Sequence, residues 1–183
     1  MIVEDTGFEG LKIITPQIFK DSRGYFYESY NKQKFIENNL IFDFIQDNQS
    51  KSQFGTVRGL HFQSEPYAQA KLVRVISGKI IDVALDLRQN SSTFGEYFSI
   101  ELTEENCKQL LIPRGFAHGF SVISDTAEVS YKIDNIYNPE HEDGIAFNDP
   151  VLRIDWSLNE EEMIVSEKDK HNNVFNKSNI YFE

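Results

Sequence analysis

Between Lys79 and Arg88 the apolar residues Ile81, Val83, Leu85 and Leu87 alternate with Asp82, Ala84, Asp86 and Arg88. A repeat of two places successive side chains on opposite sides of an extended chain, and no helix can satisfy it. The stretch therefore predicts a strand of a sheet with one apolar face. Leu72 to Ile76 precedes it across Ser77-Gly78, which reads as a hairpin.

The same signal recurs along the chain. Phe98, Ile100 and Leu102 alternate with Tyr97, Ser99 and Glu101, while Leu110 to Pro113, Gly119 to Ser124 and Ala127 to Tyr137 supply further strands between Gly and Asp turns. Leu11 to Pro16 reads as an edge or crossing strand, Tyr25 to Tyr30 and Phe42 to Asn48 as strands, and Ser50 to Gly55 as a loop. Asn31 caps a short helix running through Asn39, and Thr103 caps a single turn. Leu158 to Lys170 is polar and acidic with a helical turn, and Asn172 to Glu183 reads as a loosely ordered end. Seven or more closely spaced strands with little helix predict an all-β jelly roll in one domain spanning 1–183. Fifteen Phe and eight Tyr against two Met agree with that class.

A net charge of -11 argues against nonspecific binding to nucleic acid or to an anionic membrane. No run approaches the ~18 apolar residues of a membrane span, and the start Met-Ile-Val-Glu-Asp lacks the basic residues of a secretory signal, so a cytoplasmic protein is expected. The lone Cys107 excludes an intrachain disulfide and any cysteine-based metal cluster.

Chemistry concentrates between Thr56 and Lys71, where Arg58, His61, Gln63 and Lys71 stand among apolar and small residues. Charged groups on such segments usually line a cavity, because burying a charge without a partner costs several kcal/mol. Alternation points His61 and Gln63 to one face, and an imidazole there suits a general base if a carboxylate holds its other nitrogen. A single core histidine satisfied by a carbonyl is the bland alternative, disfavoured by the polar company it keeps. His118 lies in Pro113-Arg114-Gly115-Phe116-Ala117-His118, which is similar to the second signature of the cupin superfamily. The first signature of metal-binding cupins carries His-x-His, and His61-Phe62-Gln63 stands in its place. Two imidazoles without a placed carboxylate make an incomplete site for zinc, iron or manganese, so a metal-free role is expected. Tyr131 reads as a packed strand aromatic unless its hydroxyl shares the cavity, where it becomes a proton donor opposite His61; Tyr137 offers a ring for stacking. Arg23, just before a strand, suits a bidentate phosphate contact.

Taken in order, Asp21-Ser22-Arg23-Gly24 with Phe26 and Glu28, Gln46-Asp47-Asn48, Arg58-Gly59-Leu60-His61-Phe62-Gln63, Gln69 to Val75, Pro113 to Phe120, Tyr131-Lys132, Asn148-Asp149-Pro150 and Ser166-Glu167-Lys168-Asp169 resemble the dTDP-4-dehydrorhamnose 3,5-epimerase family. The match runs from about residue 10 to about residue 170. The resemblance implies a cupin jelly roll acting as a homodimer without metal or organic cofactor. It also implies inversion at C3 and C5 of dTDP-4-dehydro-6-deoxyglucose.

In that reading His61 is the base in a dyad with Asp169, Lys71 stabilises the enolate oxygen and Tyr131 donates the proton on the other face. Glu28, Gln46, Asn48, Arg58 and His118 position the sugar, with Asp47 counted among the binding residues; Arg23 and Lys168 address the diphosphate and nucleotide, and Tyr137 and Glu142 the thymidine. Phe147 replaces a Trp frequent in the family, and Asn138 to Gly144 is acidic. Competing expectations are a single-carbon epimerase on a related nucleotide-linked keto-sugar, a non-catalytic sugar-nucleotide-binding cupin, and a metal-dependent cupin dioxygenase or isomerase.

Overall fold

A computed structural model describes residues 1–183. In chain order its elements are β1 (Ile2–Asp5), β2 (Lys12–Thr15), β3 (Phe19–Asp21), β4 (Gly24–Phe26), α1 (Lys32–Glu37), β5 (Gln46–Gln53), β6 (Thr56–Gln63), β7 (Lys71–Ser77), β8 (Lys79–Asp86), β9 (Tyr97–Thr103), β10 (Gln109–Ile112), β11 (Phe116–Val122), β12 (Thr126–Ile133), β13 (Glu142–Gly144), β14 (Ile164–Val165) and α2 (Glu167–Lys170). One sheet has the order β1-β2-β10-β7-β12-β5 and the other β13-β6-β11-β8-β9, with β14 added in parallel to β6. The chain crosses repeatedly between the sheets, as in the jelly roll of the cupins. No helix is long and apolar enough to cross a membrane.

The alternation that predicted a hairpin has another cause. β7 and β8 are not paired, because Ser77-Gly78 carries the chain from one sheet to the other. Gly78 adopts φ 83°, and a Cβ there would lie 2.1 Å from the Thr126 carbonyl oxygen, so the corner requires glycine. Nor does β8 have one solvated face. Val83, Leu85 and Leu87 pack under the C-terminal segment with Trp156, Phe175 and Phe182, while Ile80 and Ala84 turn into the core between the sheets. Asp82 shares that inner face and is 0% exposed.

Other expectations shift for similar reasons. The strand expected at Phe42 to Asn48 begins only at Gln46 and continues through the predicted loop to Gln53, because its full length pairs with β12. An edge strand tolerates polar side chains when its backbone is matched on one side. The strand expected at Tyr25 to Tyr30 shrinks to β4, and the proposed edge or crossing strand β2 has neighbours on both sides. The Asn31 cap forms as expected, with Oδ1 accepting from the Lys34 amide at 3.2 Å. The tail is packed: Phe175 and Phe182 are buried, Tyr181 stacks on Phe175 with ring centroids 5.7 Å apart, and Phe182 bridges to Arg88. Three aromatics suffice to fasten an otherwise polar segment over the apolar face of β8.

Inner-face residues divide along the barrel. Val73 and Val75 of β7, Ala127 and Val129 of β12 and Phe120 and Val122 of β11 form the apolar core. Further along the same faces come Lys71, Tyr131 and His118. One end is thus sealed by packing and the other lined with polar groups.

Candidate active site

The polar end opens into a cavity of ≈ 290 Å³ whose walls include Gln46 and Asn48 of β5, His61 of β6, Lys71 of β7, Tyr131 of β12, and Tyr137 and Glu142. A wider cleft of ≈ 580 Å³ adjoins it, sharing His61 and Glu142 and adding Arg58, Lys168 and Asp169. Strict alternation would put Arg58 and His61 on opposite faces. The β6–β11 ladder shifts register between His118 and Phe120, so Val57 and Leu60 both face outward while Arg58 and His61 both reach the cleft. Gly59 makes this possible: a Cβ there would lie 2.5 Å from Gly119 Cα and 2.7 Å from the His118 carbonyl oxygen.

His61 Nε2 lies 2.6 Å from Asp169 Oδ1. Asp169 comes from α2, where Ser166 Oγ caps the helix by accepting from the Asp169 amide at 3.1 Å, and its other oxygen accepts from the Gly59 amide at 3.4 Å. Burial pushes the Asp169 carboxyl up, but the hydrogen bond and charge of His61, with Gly59 and Ser166, outweigh it and hold the group below the usual range. An ionised carboxylate only accepts, so His61 Nε2 carries the proton and Nδ1 is left as the basic nitrogen. Asp169 is almost fully buried while about a third of the His61 side chain is open. The pair is anchored on one side and accessible on the other.

The Lys71 ammonium has neither a hydrogen bond nor an ion pair within the chain. Burial lowers its pKa from 10.5 to about 8, opposed by the charges of Asp82 and Glu142. Burial likewise raises Tyr131, which Arg58 counters and Glu142 reinforces, so the phenol keeps its proton at neutral pH. Glu142 accepts from Tyr137 Oη at 2.6 Å and pairs with Lys168 Nζ at 2.5 Å. Its own burial works against ionisation, but these contacts win and hold its carboxyl low.

Of the residues expected from sequence, His61, Lys71, Tyr131, Gln46, Asn48, Tyr137 and Glu142 line the cavity, and Arg58, Lys168 and Asp169 the adjoining cleft. His118 does not line it: buried beside His61, its cross-strand neighbour, it donates from Nε2 to Asp82 Oδ1 at 2.7 Å. Asp47 projects to the other face of β5 and pairs with Lys132 at 2.7 Å, because neighbours on a strand point oppositely. Arg23 is bound to Asp21 at 2.6 Å and Glu28 to Lys34 and Asn31, outside the cavity of their own chain. Gln63 is consumed structurally, donating to the Tyr67 and Ile136 carbonyls and accepting from the Asn138 amide. Sequence reasoning missed Gln69 in the cavity wall and Asp82 behind it. Asp82 was hidden because it was read as the polar half of an amphipathic strand. No three His, Cys, Asp or Glu side chains are grouped as a metal ion would require.

A jelly-roll barrel holding a histidine–carboxylate pair, a phenol and an unpaired ammonium around one cavity defines a cupin-fold protein with the groups for proton transfer at a carbon acid. The family model described as dTDP-4-dehydrorhamnose 3,5-epimerase matches residues 5–177. The chain belongs to that family. It is 47% identical over 177 residues to the dTDP-4-dehydrorhamnose 3,5-epimerase of Methanothermobacter thermautotrophicus, covering 96% of this chain and 95% of the relative. Its fold matches the crystal structure of the enzyme of that name from Elizabethkingia anophelis with a TM-score of 0.92 at 51% identity, covering 96% of each chain. A Legionella pneumophila dTDP-6-deoxy-D-glucose-3,5-epimerase, solved in complex with dTDP-4-keto-L-rhamnose, matches with a TM-score of 0.90 at 44% identity over 94% of this chain and 92% of that one.

Proposed function

We propose that the chain inverts C3 and C5 of dTDP-4-dehydro-6-deoxyglucose, giving dTDP-4-dehydrorhamnose for dTDP-L-rhamnose biosynthesis. The single observation that carries this reading is the His61–Asp169 pair at 2.6 Å opening onto the cavity that also holds Lys71 and Tyr131. Both carbons flank the C4 ketone, so removing a proton from either sends the electron pair onto the C4 oxygen as an enolate. His61 Nδ1 takes the proton. The charge on the imidazolium is balanced by Asp169, and Lys71 offsets the charge growing on oxygen; fixed charges so placed in a dry site contribute roughly 3 kcal/mol or more each. Tyr131 returns a proton to the opposite face of the carbon, which inverts it. One proton has then moved from Tyr131 to His61, and exchange with water restores both.

The smaller cavity suits the sugar. The wider cleft, with Arg58 and Lys168, suits the diphosphate, and Tyr137 the base. Lys168 and Glu142 are paired with each other, so the nucleotide enters by exchanging that contact for its own. Arg23 and Glu28 lie away from the His61 cavity of their own chain and would meet substrate in a homodimer, in which the β3–β4 hairpin of one copy approaches the cavity of the other. Exposed Phe19, Tyr25 and Phe26 on that hairpin support such an interface. Residues 1–183 act as one catalytic unit in the cytoplasm.

The test is incubation with dTDP-4-dehydro-6-deoxyglucose in heavy water, coupled to an NADPH-dependent reductase. Deuterium at both C3 and C5 is expected. Label at one carbon makes the protein a single-site epimerase, and nucleotide binding without exchange makes it a binding module.

A further inference from the structure

Two histidine–aspartate pairs stand side by side on β6 and β11, and the mechanism above uses only one. His61–Asp169 faces the cleft. The other, His118–Asp82, lies inside the barrel wall, where Asp82 is 0% and His118 7% exposed. Asp82 Oδ1 accepts from His118 Nε2 at 2.7 Å, yet Asp82 Oδ2 is equally buried and has no hydrogen-bond partner. An orphaned carboxylate oxygen in a core is costly, because the water it gave up on folding is not replaced, and a strand as apolar as β8 has no packing reason to keep it. Across the barrel Lys71 projects inward from the opposite sheet, its ammonium also without a hydrogen-bond partner, and Asp82 is the foremost of the negative charges acting on it.

We infer that Asp82 is a positioning residue for the epimerisation, fixing His118 with one carboxylate oxygen and countering the Lys71 ammonium with its charge, so that the cation is in place when the enolate forms. This rests on the epimerase reading. The charged and titratable groups around Lys71 are Asp82 of β8, Glu142 of β13, and His61 and Tyr131, which share its cavity; its ladder neighbours Ile112 of β10 and Ile133 of β12 carry no charge. Glu142 already serves Lys168 and Tyr137. Asp82 is therefore the carboxylate whose removal Lys71 feels most. Burial alone draws the Lys71 ammonium toward neutrality, and the site needs it charged.

The experiment compares the pH dependence of kcat on dTDP-4-dehydro-6-deoxyglucose for the wild type and Asp82→Asn, with dTDP affinity measured in parallel. The alkaline limb should move to lower pH by about one unit, the scale set by losing one buried opposite charge, while dTDP affinity stays unchanged. A uniform fall in kcat with the limb unmoved is what a merely structural aspartate would give, and it overturns the proposal. Titration of the Lys71 ε-carbon by NMR in 13C-lysine-labelled protein reads the same quantity without turnover: its midpoint should fall in Asp82→Asn, and an unchanged midpoint is refuting. If Asp82→Asn does not fold, His118→Ala serves instead. Freeing Oδ1 from its donor should raise the Lys71 midpoint, and no change again overturns the proposal. A wild type inactive on the keto-sugar refutes the epimerase reading, while the NMR titration still decides the link between Asp82 and Lys71.

Discussion

Replacing Lys71 by Met should stabilise the protein while disabling it. Lys71 is held without a hydrogen bond or counter-ion contact, and burial lowers its pKa from 10.5 to about 8. Each factor of ten in proton affinity is worth about 1.4 kcal/mol, so keeping this ammonium charged in the fold costs about 3 kcal/mol at neutral pH. Water in the open cavity lowers the recoverable part to about 2 kcal/mol. The folded pKa lies below the unfolded one, so the unfolded chain binds more protons between pH 8 and 10.5. Wild-type stability from this group therefore rises with pH through that window, and below pH 8 the cost is present in full. Methionine matches the length of the lysine stem, leaves no void and carries no charge. Urea unfolding at fixed protein concentration should show Lys71→Met more stable than wild type at pH 7, with the advantage shrinking toward pH 10. Turnover should fall by about 10²–10³-fold, the usual effect of deleting one group that stabilises an oxyanion. A variant less stable at pH 7, or a gain that does not change with pH, refutes this account of Lys71.

Tyr131→Phe removes the phenol but keeps the ring, so stability should change by less than about 1 kcal/mol. Abstraction by His61 survives, and NMR in heavy water should show hydrogen exchange at C3 or C5 outlasting inversion; equal loss of both would deny Tyr131 the donor role. Gly59→Ala tests the bulge. The new methyl meets backbone atoms of Gly119 and His118 at 2.5 and 2.7 Å, and the backbone sits at φ 121°, so a loss of about 3 kcal/mol in thermal or urea unfolding is expected, with turnover falling alongside as Arg58 and His61 lose their shared face. A neutral Gly59→Ala would mean that the register shift is not what brings these two residues together.

How much of this was legible in the sequence depended on how local each interaction is. Extended segments were readable because alternation is a property of neighbouring residues, and so was the Asn31 cap. Which strands meet was not. Ser77-Gly78 reads as a hairpin turn and is a crossing between sheets, a choice made by pairings with β10, β12, β9 and β11 far along the chain. The same gap runs through the site. Period-two reasoning put His61 and Gln63 on one face but gave no geometric reason for Arg58 to join His61, because the added residue of a bulge leaves no compositional trace beyond Gly59. No local pattern joins Asp169 to a histidine 108 positions earlier; that pairing came from family resemblance, and the structure puts the two atoms 2.6 Å apart. Asp82 illustrates the deeper difficulty. On a strand, an aspartate facing water and one facing the interior of a barrel have the same sequence signature, and only the second sheet, closing over Asp82, separates a solubilising charge from one enclosed in the barrel.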